Sequence, residues 1–420
     1  MLEPAPRAAQ MVTSWRQALE LVRAHSVDVR SAVVRVERAR AEARQALSGA
    51  LPSLTGVAQV GTHILTGERL NPITGARDTV PDPRTGWTAG LELRVPIFHP
   101  AEWQAHGTAK DAIDARELNV KDAERRVVAA IADAIVSTVT AERLAEVNRV
   151  LLRSALSTLD LNKRRAALGA SSQLDVLRAE QDVELTRAGV VSADEQLLRA
   201  REALGLALGV SGGYGVSQDI RVENLAADAQ TSCRKETSVA ARADVKASSA
   251  EVGLAERRTK NIDARLWPVV DAVSNLTVYG SRGSSPTNEY LAWTAGAVLT
   301  WNLYDGGQRY AERNALEADV RLSREQLNDT RRRAELEVVQ STRAVQVART
   351  NLTVATRARD IAAETARLAK IAFMNGSGTS FDLVDTARTL RQAELDLAVK
   401  EFEVLRAEVT AFLALASCDV

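Results

Sequence analysis

The chain is poor in aromatic residues, which make up 4% of its 420 positions, and it has no surplus of charge, with 54 basic and 54 acidic side chains. Binding a phosphate backbone calls for a basic excess, so this balance argues against nucleic acid as a partner. Cysteine is almost absent. Cys233 and Cys418 lie far apart and form no CxxC or other ligand-spaced set, so neither a disulfide framework nor a zinc site is indicated. No uninterrupted apolar run reaches the roughly 18 residues that a membrane-crossing helix needs. Met1–Gln10 (MLEPAPRAAQ) has no basic segment followed by an apolar one, so no signal peptide is visible. The histidines His25, His63, His99 and His106 show no HExxH or other ligand spacing. There is no Gly-x-Ser-x-Gly elbow. Gly209–Gly215 (GVSGGYG) lacks the Gly-Lys-Ser/Thr that would make it a P-loop. An enzyme reading has no residues to stand on, and no cofactor or metal is expected.

Charged residues make up 26% of the chain, and Ala, Arg, Leu, Val and Glu dominate its composition, which is typical of long helices. The chain is also written twice. Trp-Thr-Ala-Gly occurs at Trp87–Gly90 and again at Trp293–Gly296, each time within the same order of elements. A helical stretch comes first, about Ser14–Ser48 and about Lys235–Ala264. A proline follows, Pro52 or Pro268, and then two β-like segments, about 53–62 with 86–98 and about 269–280 with 290–304. Long helical hairpins complete each half, 101–208 with its tip near 169–172 and 308–416 with its tip near 376–379. The spacing therefore predicts a first repeat over 14–208, an inter-repeat linker over 209–233 that could form an equatorial belt, and a second repeat over 234–416.

The strands carry the most informative pattern, because alternate side chains of a strand face opposite sides. Trp87, Ala89, Leu91, Leu93, Val95 and Ile97 point one way, and Thr88, Gly90, Glu92, Arg94 and Pro96 the other. In the second copy Trp293, Ala295, Ala297, Leu299, Trp301 and Leu303 oppose Thr294, Gly296, Thr300 and Asn302. A half-buried strand of a soluble sheet would show the same alternation. The run of about 10 residues also matches what a tilted strand needs to cross hydrocarbon. The connecting segments Gly67–Thr85 and Ser281–Glu289 are rich in turn residues. Strand pairs of this kind cannot close a barrel within one chain, and lipid does not tolerate open edges, so several copies must share one.

Each long helical run of about 68 residues would make a rod roughly 100 Å long. Val127, Ile131, Ala134, Ile135 and Thr138, then Leu144, Val147 and Leu151, recur at helical steps and need a partner helix. A soluble coiled-coil rod accounts for these helices but leaves the strands unexplained.

Duplication, paired spanning-type strands and glycine-tipped hairpins together resemble the TolC-like outer-membrane efflux protein family. The resemblance runs from about Trp15 to Ala416. It is carried by Trp15-Arg16-Gln17-Ala18-Leu19-Glu20, Ala50-Leu51-Pro52-Ser53-Leu54, Trp301-Asn302-Leu303-Tyr304-Asp305-Gly306-Gly307 and the two tip stretches, Leu168–Leu177 and Asn375–Asp385. It implies a mainly α fold with a small β part, assembled as a homotrimer in which a twelve-stranded β-barrel in outer-membrane lipid continues as an α-helical periplasmic barrel. Such a protein is a passive exit duct in a tripartite efflux or type I secretion system, with a periplasmic adaptor and an inner-membrane transporter as partners. It would lie in the outer membrane with a periplasmic extension. The alternatives are a periplasmic adaptor, which would have one hairpin rather than two, and a cytoplasmic coiled-coil scaffold.

The resemblance also assigns roles. Asp382 and Asp385 match the family's Asp-x-x-Asp pair at the pore aperture, where crowded carboxylates would raise one another's pKa and attract cations. Their counterparts in the first half are Asp175 and Arg178. Leu168, Gly169, Ser172, Asn375, Gly376 and Thr379 would touch the adaptor, although glycine at a helix end also has a purely structural use. Trp87 and Trp293 suit an interfacial aromatic belt. The tyrosine and arginine that latch the aperture in some members align with Phe373 and Gly378, neither of which can make the same polar link.

Overall fold

The computed structural model describes residues 4–62, 68–70, 74–75, 77–79, 85–169, 171–217, 220, 227, 233–282 and 290–418. Most of 67–85 and 281–289, Ala170 of the first tip and much of the 209–233 linker lie outside them. In chain order the first half comprises β1 (Gln10–Val12), α1 (Trp15–His25), α2 (Val27–Ser48), β2 (Ser53–Thr62), β3 (Glu68–Leu70), β4 (Arg77–Thr79), β5 (Thr85–Phe98), α3 (Pro100–Ala167) and α4 (Gln173–Leu208). β6 (Tyr214–Val216) and β7 (Cys233–Lys235) follow. The second half comprises α5 (Ala243–Ala264), β8 (Val269–Arg282), β9 (Tyr290–Thr300), α6 (Gln308–Met374), α7 (Ser380–Leu413) and β10 (Ala416–Cys418). These elements fall into two compact units. One holds Met1–Arg35, Arg116–Ser249 and Glu325–Val420, and the other Val36–Ala115 and Ala250–Arg324.

The first unit is helical. Its main core joins Val128, Ile131 and Ile135 of α3 to Ala18 and Val22 of α1, Leu204 and Leu208 of α4 and Leu413 of α7. Thr138 is fully buried at no cost in polarity, because its hydroxyl donates to Ala134 O at 2.8 Å. Farther along α3 the buried stripe differs from expectation. Ala141 and Ala145 pack against Ala193 and Leu197 of α4, while Leu144 and Val147 are only half-buried. Alanine lets the two helix backbones approach closely, so the seam follows the small residues.

The first helical stretch is not continuous. Ser26 is extended (φ −60, ψ 120) and separates α1 from α2. Its N–H donates to Val22 O and its hydroxyl accepts from Val29 N, so one residue ends one helix and begins the next. Gly209 occupies the adjoining space, left-handed at φ 77, where a Cβ would stand 2.7 Å from His25 O. In the second half Lys235 belongs to β7 and α5 starts only at Ala243, after a 3₁₀ turn at Val239–Ala241. Helix α7 ends at Leu413 rather than Ala416, because Ala416–Cys418 pairs with β7 as an antiparallel strand. This pair overturns the expectation from cysteine spacing. Cys233 is disulfide-bonded.

The second unit contains a four-stranded antiparallel sheet in the order β2-β5-β8-β9. Strand β9 stops at Thr300, which pairs with Val269, the first residue of β8. Pro268 before it has no N–H to offer, so Trp301 and Leu303 lie beyond the ladder and Trp301 Nε1 donates instead to Leu266 O at 3.1 Å.

Candidate functional site

The register decides what the sheet can do. Leu54, Ala58 and Val60 of β2 stand opposite Leu93, Ala89 and Trp87 of β5. The same line continues through Leu91 to Leu276 of β8 and Trp293 of β9. Val270, Ala272 and Val278 of β8, with Leu299, Ala297 and Leu291 of β9, extend it on that face. The other face carries Thr55 and Gln59, Thr88, Glu92 and Arg94, then Asn275 and Thr277, then Thr294 and Thr300. The alternation read along single strands is thus one continuous apolar face and one mainly polar face across four strands. A soluble sheet would bury the apolar face, yet Val60 and Trp293 are each 75% exposed and Leu299 65%. On that face the Ser274 hydroxyl accepts from Trp293 Nε1 at 3.0 Å. Trp87 lies over Gly280, where a Cβ would collide with the indole at 2.3 Å.

The two tips, both in the helical unit, share one construction. In the first, Gly169 (φ 71) turns the chain after α3 and Ser172 caps α4. Asp175 N donates to Ser172 Oγ at 3.2 Å, while Ser172 N and Oγ donate to Asp175 Oδ2 at 3.1 and 2.7 Å. In the second, Gly376 (φ 78) turns the chain and Thr379 caps α7. Asp382 N donates to Thr379 Oγ1 at 3.1 Å, and Thr379 N and Oγ1 donate to Asp382 Oδ2 at 3.2 and 2.6 Å. Both are capping boxes with aspartate in the third helical position.

This geometry changes the reading of Asp382. Its carboxylate is turned back onto the helix N-terminus. Hydrogen bonds from the Thr379 hydroxyl first, and the Thr379 backbone N–H second, hold its pKa below the ordinary 3.8 in the single chain. Asp175 is lowered likewise, chiefly by the Ser172 hydroxyl. Asp385, one turn on, is exposed and lines a groove between α6 and α7 with Asn351, Val354, Ala358 and Arg388. Leu168, Ser172, Asn375, Gly376 and Thr379 are all exposed at the tips.

The residues that tie the tips together went unmarked in the sequence. Arg165, near the end of α3, donates to Phe373 O at 2.8 Å and places its guanidinium 4.0 Å from the Phe373 ring. Phe373 is buried although it is next to the last residue of α6. Gly378 packs on the same backbone, where a Cβ would meet Phe373 N at 2.9 Å, so no larger residue fits there. A polar link at Phe373 thus runs from the first hairpin to a backbone carbonyl of the second. Asn162, fully buried, accepts from Ser380 Oγ at 3.0 Å. Arg178 lies 5.7 Å over the Phe381 ring. Farther from the tips, Arg391 of α7 pairs with Asp182 of α4, both buried. A signal for Arg391 did exist. It occupies a position in the buried stripe Leu383, Arg391, Ala398 where the period calls for an apolar residue.

Among the described residues no helix is long and apolar enough to cross a membrane, and no group of His, Cys, Asp or Glu could hold a metal ion. The four-stranded sheet leaves an apolar face uncovered, and the helical unit is built from two long hairpins. The model of the outer membrane efflux protein family matches residues 18–210 and 236–417, and the chain belongs to that family. It is an outer-membrane efflux channel, and its family and fold are those of channels rather than enzymes. It is similar to nodulation protein T of Rhizobium leguminosarum bv. trifolii, 25% identical over 94% of this chain and 84% of that one. Its fold matches CusC at a TM-score of 0.82, with 17% identity over 98% of this chain and 96% of the other. It also matches the outer membrane protein VceC of Vibrio cholerae at 0.78, with 18% identity over 95% of each chain.

Proposed function

We propose that this chain is one protomer of a homotrimeric exit duct in the outer membrane, two tandem repeats long. Its sheet is one third of a β-barrel, and its hairpins dock on a periplasmic adaptor joined to an inner-membrane transporter. One observation carries the reading: an apolar face continuous over four strands is left uncovered, with β2 and β9 as open edges. Exposed apolar area on this scale needs a nonaqueous cover, and unpaired strand edges in lipid need neighbours. Lipid supplies the first and further copies supply the second. Trp87 and Trp293 then lie on the lipid-facing surface, where indoles favour the interface. In the helical unit, Leu168, Met374 and Phe381 are exposed around the two tips and offer apolar contact to the adaptor beside Gly169, Ser172, Asn375, Gly376 and Thr379. Of the two aspartates beside the second tip, Asp385 is the aperture carboxylate and Asp382 the cap.

The test is extraction and reconstitution. The folded protein should require detergent, run as a trimer and conduct ions in a planar bilayer. A folded monomer that stays in solution without surfactant would refute the duct.

A further inference from the structure

The disulfide at Cys233 reaches beyond the channel reading. The chain has one other cysteine, Cys418, and β10 sets it directly opposite Cys233 in an antiparallel register. Position matters here as well as proximity. Glu236 N donates to Leu415 O at 2.7 Å, which makes that opposed pair a hydrogen-bonded one. Opposed pairs alternate along the ladder, so Lys235 and Ala416 are not hydrogen-bonded, Arg234 and Ser417 are, and Cys233 and Cys418 are not. Nonbonded pairs bring opposed side chains closest and fall within the span a disulfide bridges. Cys233 is 4% exposed and packs in the main core with Val409, Leu413 and Ala416. Arg242 donates to Ala414 O at 2.7 Å beside it.

We propose that Cys233 and Cys418 form a covalent clasp that closes the second half of the chain on itself and requires a thiol oxidant of the compartment outside the inner membrane. Two thiols lose their protons and form one S–S bond. The two electrons reduce the disulfide of a dithiol–disulfide oxidant to its dithiol. Such bonds persist in oxidising compartments and are rare in the cytosol. Residues 234–417 become the enclosed loop, so the bond fixes the end of α7 to the segment between the halves. The inference rests on the location in the proposed function for its oxidant, but on the register for its partners.

The full-length protein is taken from membranes, its free thiols are blocked with N-ethylmaleimide in denaturant, which exposes buried ones, and it is digested with trypsin without reductant. The expected result is a peptide of residues 222–234 linked to one of residues 407–420, with no alkylated cysteine until dithiothreitol is added. Cys418→Ser should lose this species, alkylate at Cys233 and melt lower than the wild type. Reductant should lower the wild-type melting temperature to that of the variant and leave the variant unchanged. Alkylated thiols in membrane-assembled protein, or a bond joining two copies, would overturn the clasp. A conducting trimer with free thiols would sink the clasp and spare the duct, whereas a linked peptide pair in a protein that fails to conduct would do the reverse.

Discussion

The two tips use one cap and differ one turn later. Ser172 with Asp175, and Thr379 with Asp382, are the same capping box built twice, down to the oxygen that receives both hydrogen bonds. The next position on that helix face holds Arg178 in the first hairpin and Asp385 in the second. Arg178 reaches the Phe381 ring of the other hairpin, while Asp385 opens onto the groove between α6 and α7. A feature present in both copies answers to what both must do, which is to start a helix after a tight turn. A feature present in one copy is free to answer to function. The cap of Asp382 is of the first kind, and the proposed aperture role of Asp385 would be of the second.

The comparison would break most severely if the hairpins were uncoupled. Asp182 and Arg391 are buried partners on different hairpins. Asp182→Ala strands a buried guanidinium and should cost about 3–5 kcal/mol, read as a fall in the unfolding midpoint of the detergent-solubilised protein. Replacing both partners by leucine should recover much of that loss, because the desolvation penalty goes with the pair. A single variant as stable as wild type would mean that the hairpins do not depend on this pair.

The caps come next. Ser172→Ala and Thr379→Ala should each cost about 1 kcal/mol, and by similar amounts, if the two boxes are equivalent. Each box holds an aspartate whose folded pKa is depressed below 3.8. The stability this adds is complete above that value and is lost as pH falls through the lower folded pKa. The gap between wild type and either variant should therefore narrow in denaturant titrations taken below pH 3.8. A gap at one tip several times that at the other would show that one cap has acquired a second duty.

Much of this was legible beforehand, for reasons that differ by element. Strand β2 could be read to the residue, and β5 and β8 nearly so, because period-two alternation and a leading proline are local signals. The rods could be read because nothing interrupts them. Ser26 could not, since the break depends on Gly209 coming against it from more than 180 residues away. The β7–β10 pair was invisible for the same reason. Two cysteines with no local spacing say nothing until the chain end is folded back onto the linker. The Arg165 contact joins one hairpin to a backbone oxygen of the other, and sequence has no mark for that.

The finest separation is between Asp382 and Asp385. Spacing made them one acidic pair, and in the single chain Asp382 receives the Thr379 hydrogen bonds that cap α7. Asp382→Asn removes the charge that accepts two hydrogen bonds at the helix start, so it should act on stability and leave the current alone. Asp385→Asn touches no cap and should leave the unfolding midpoint within about 0.5 kcal/mol of wild type. If three copies bring Asp385 round one narrow opening, that same change should weaken block of single-channel current by multivalent cations, and raising the salt should erase the difference by screening. Arg178→Gln in the matching place on the first hairpin should leave the block unchanged. Should Asp382→Asn alone relieve the block, the carboxylate must leave its cap when copies assemble, and the equivalence of the two tips would hold only for the single chain.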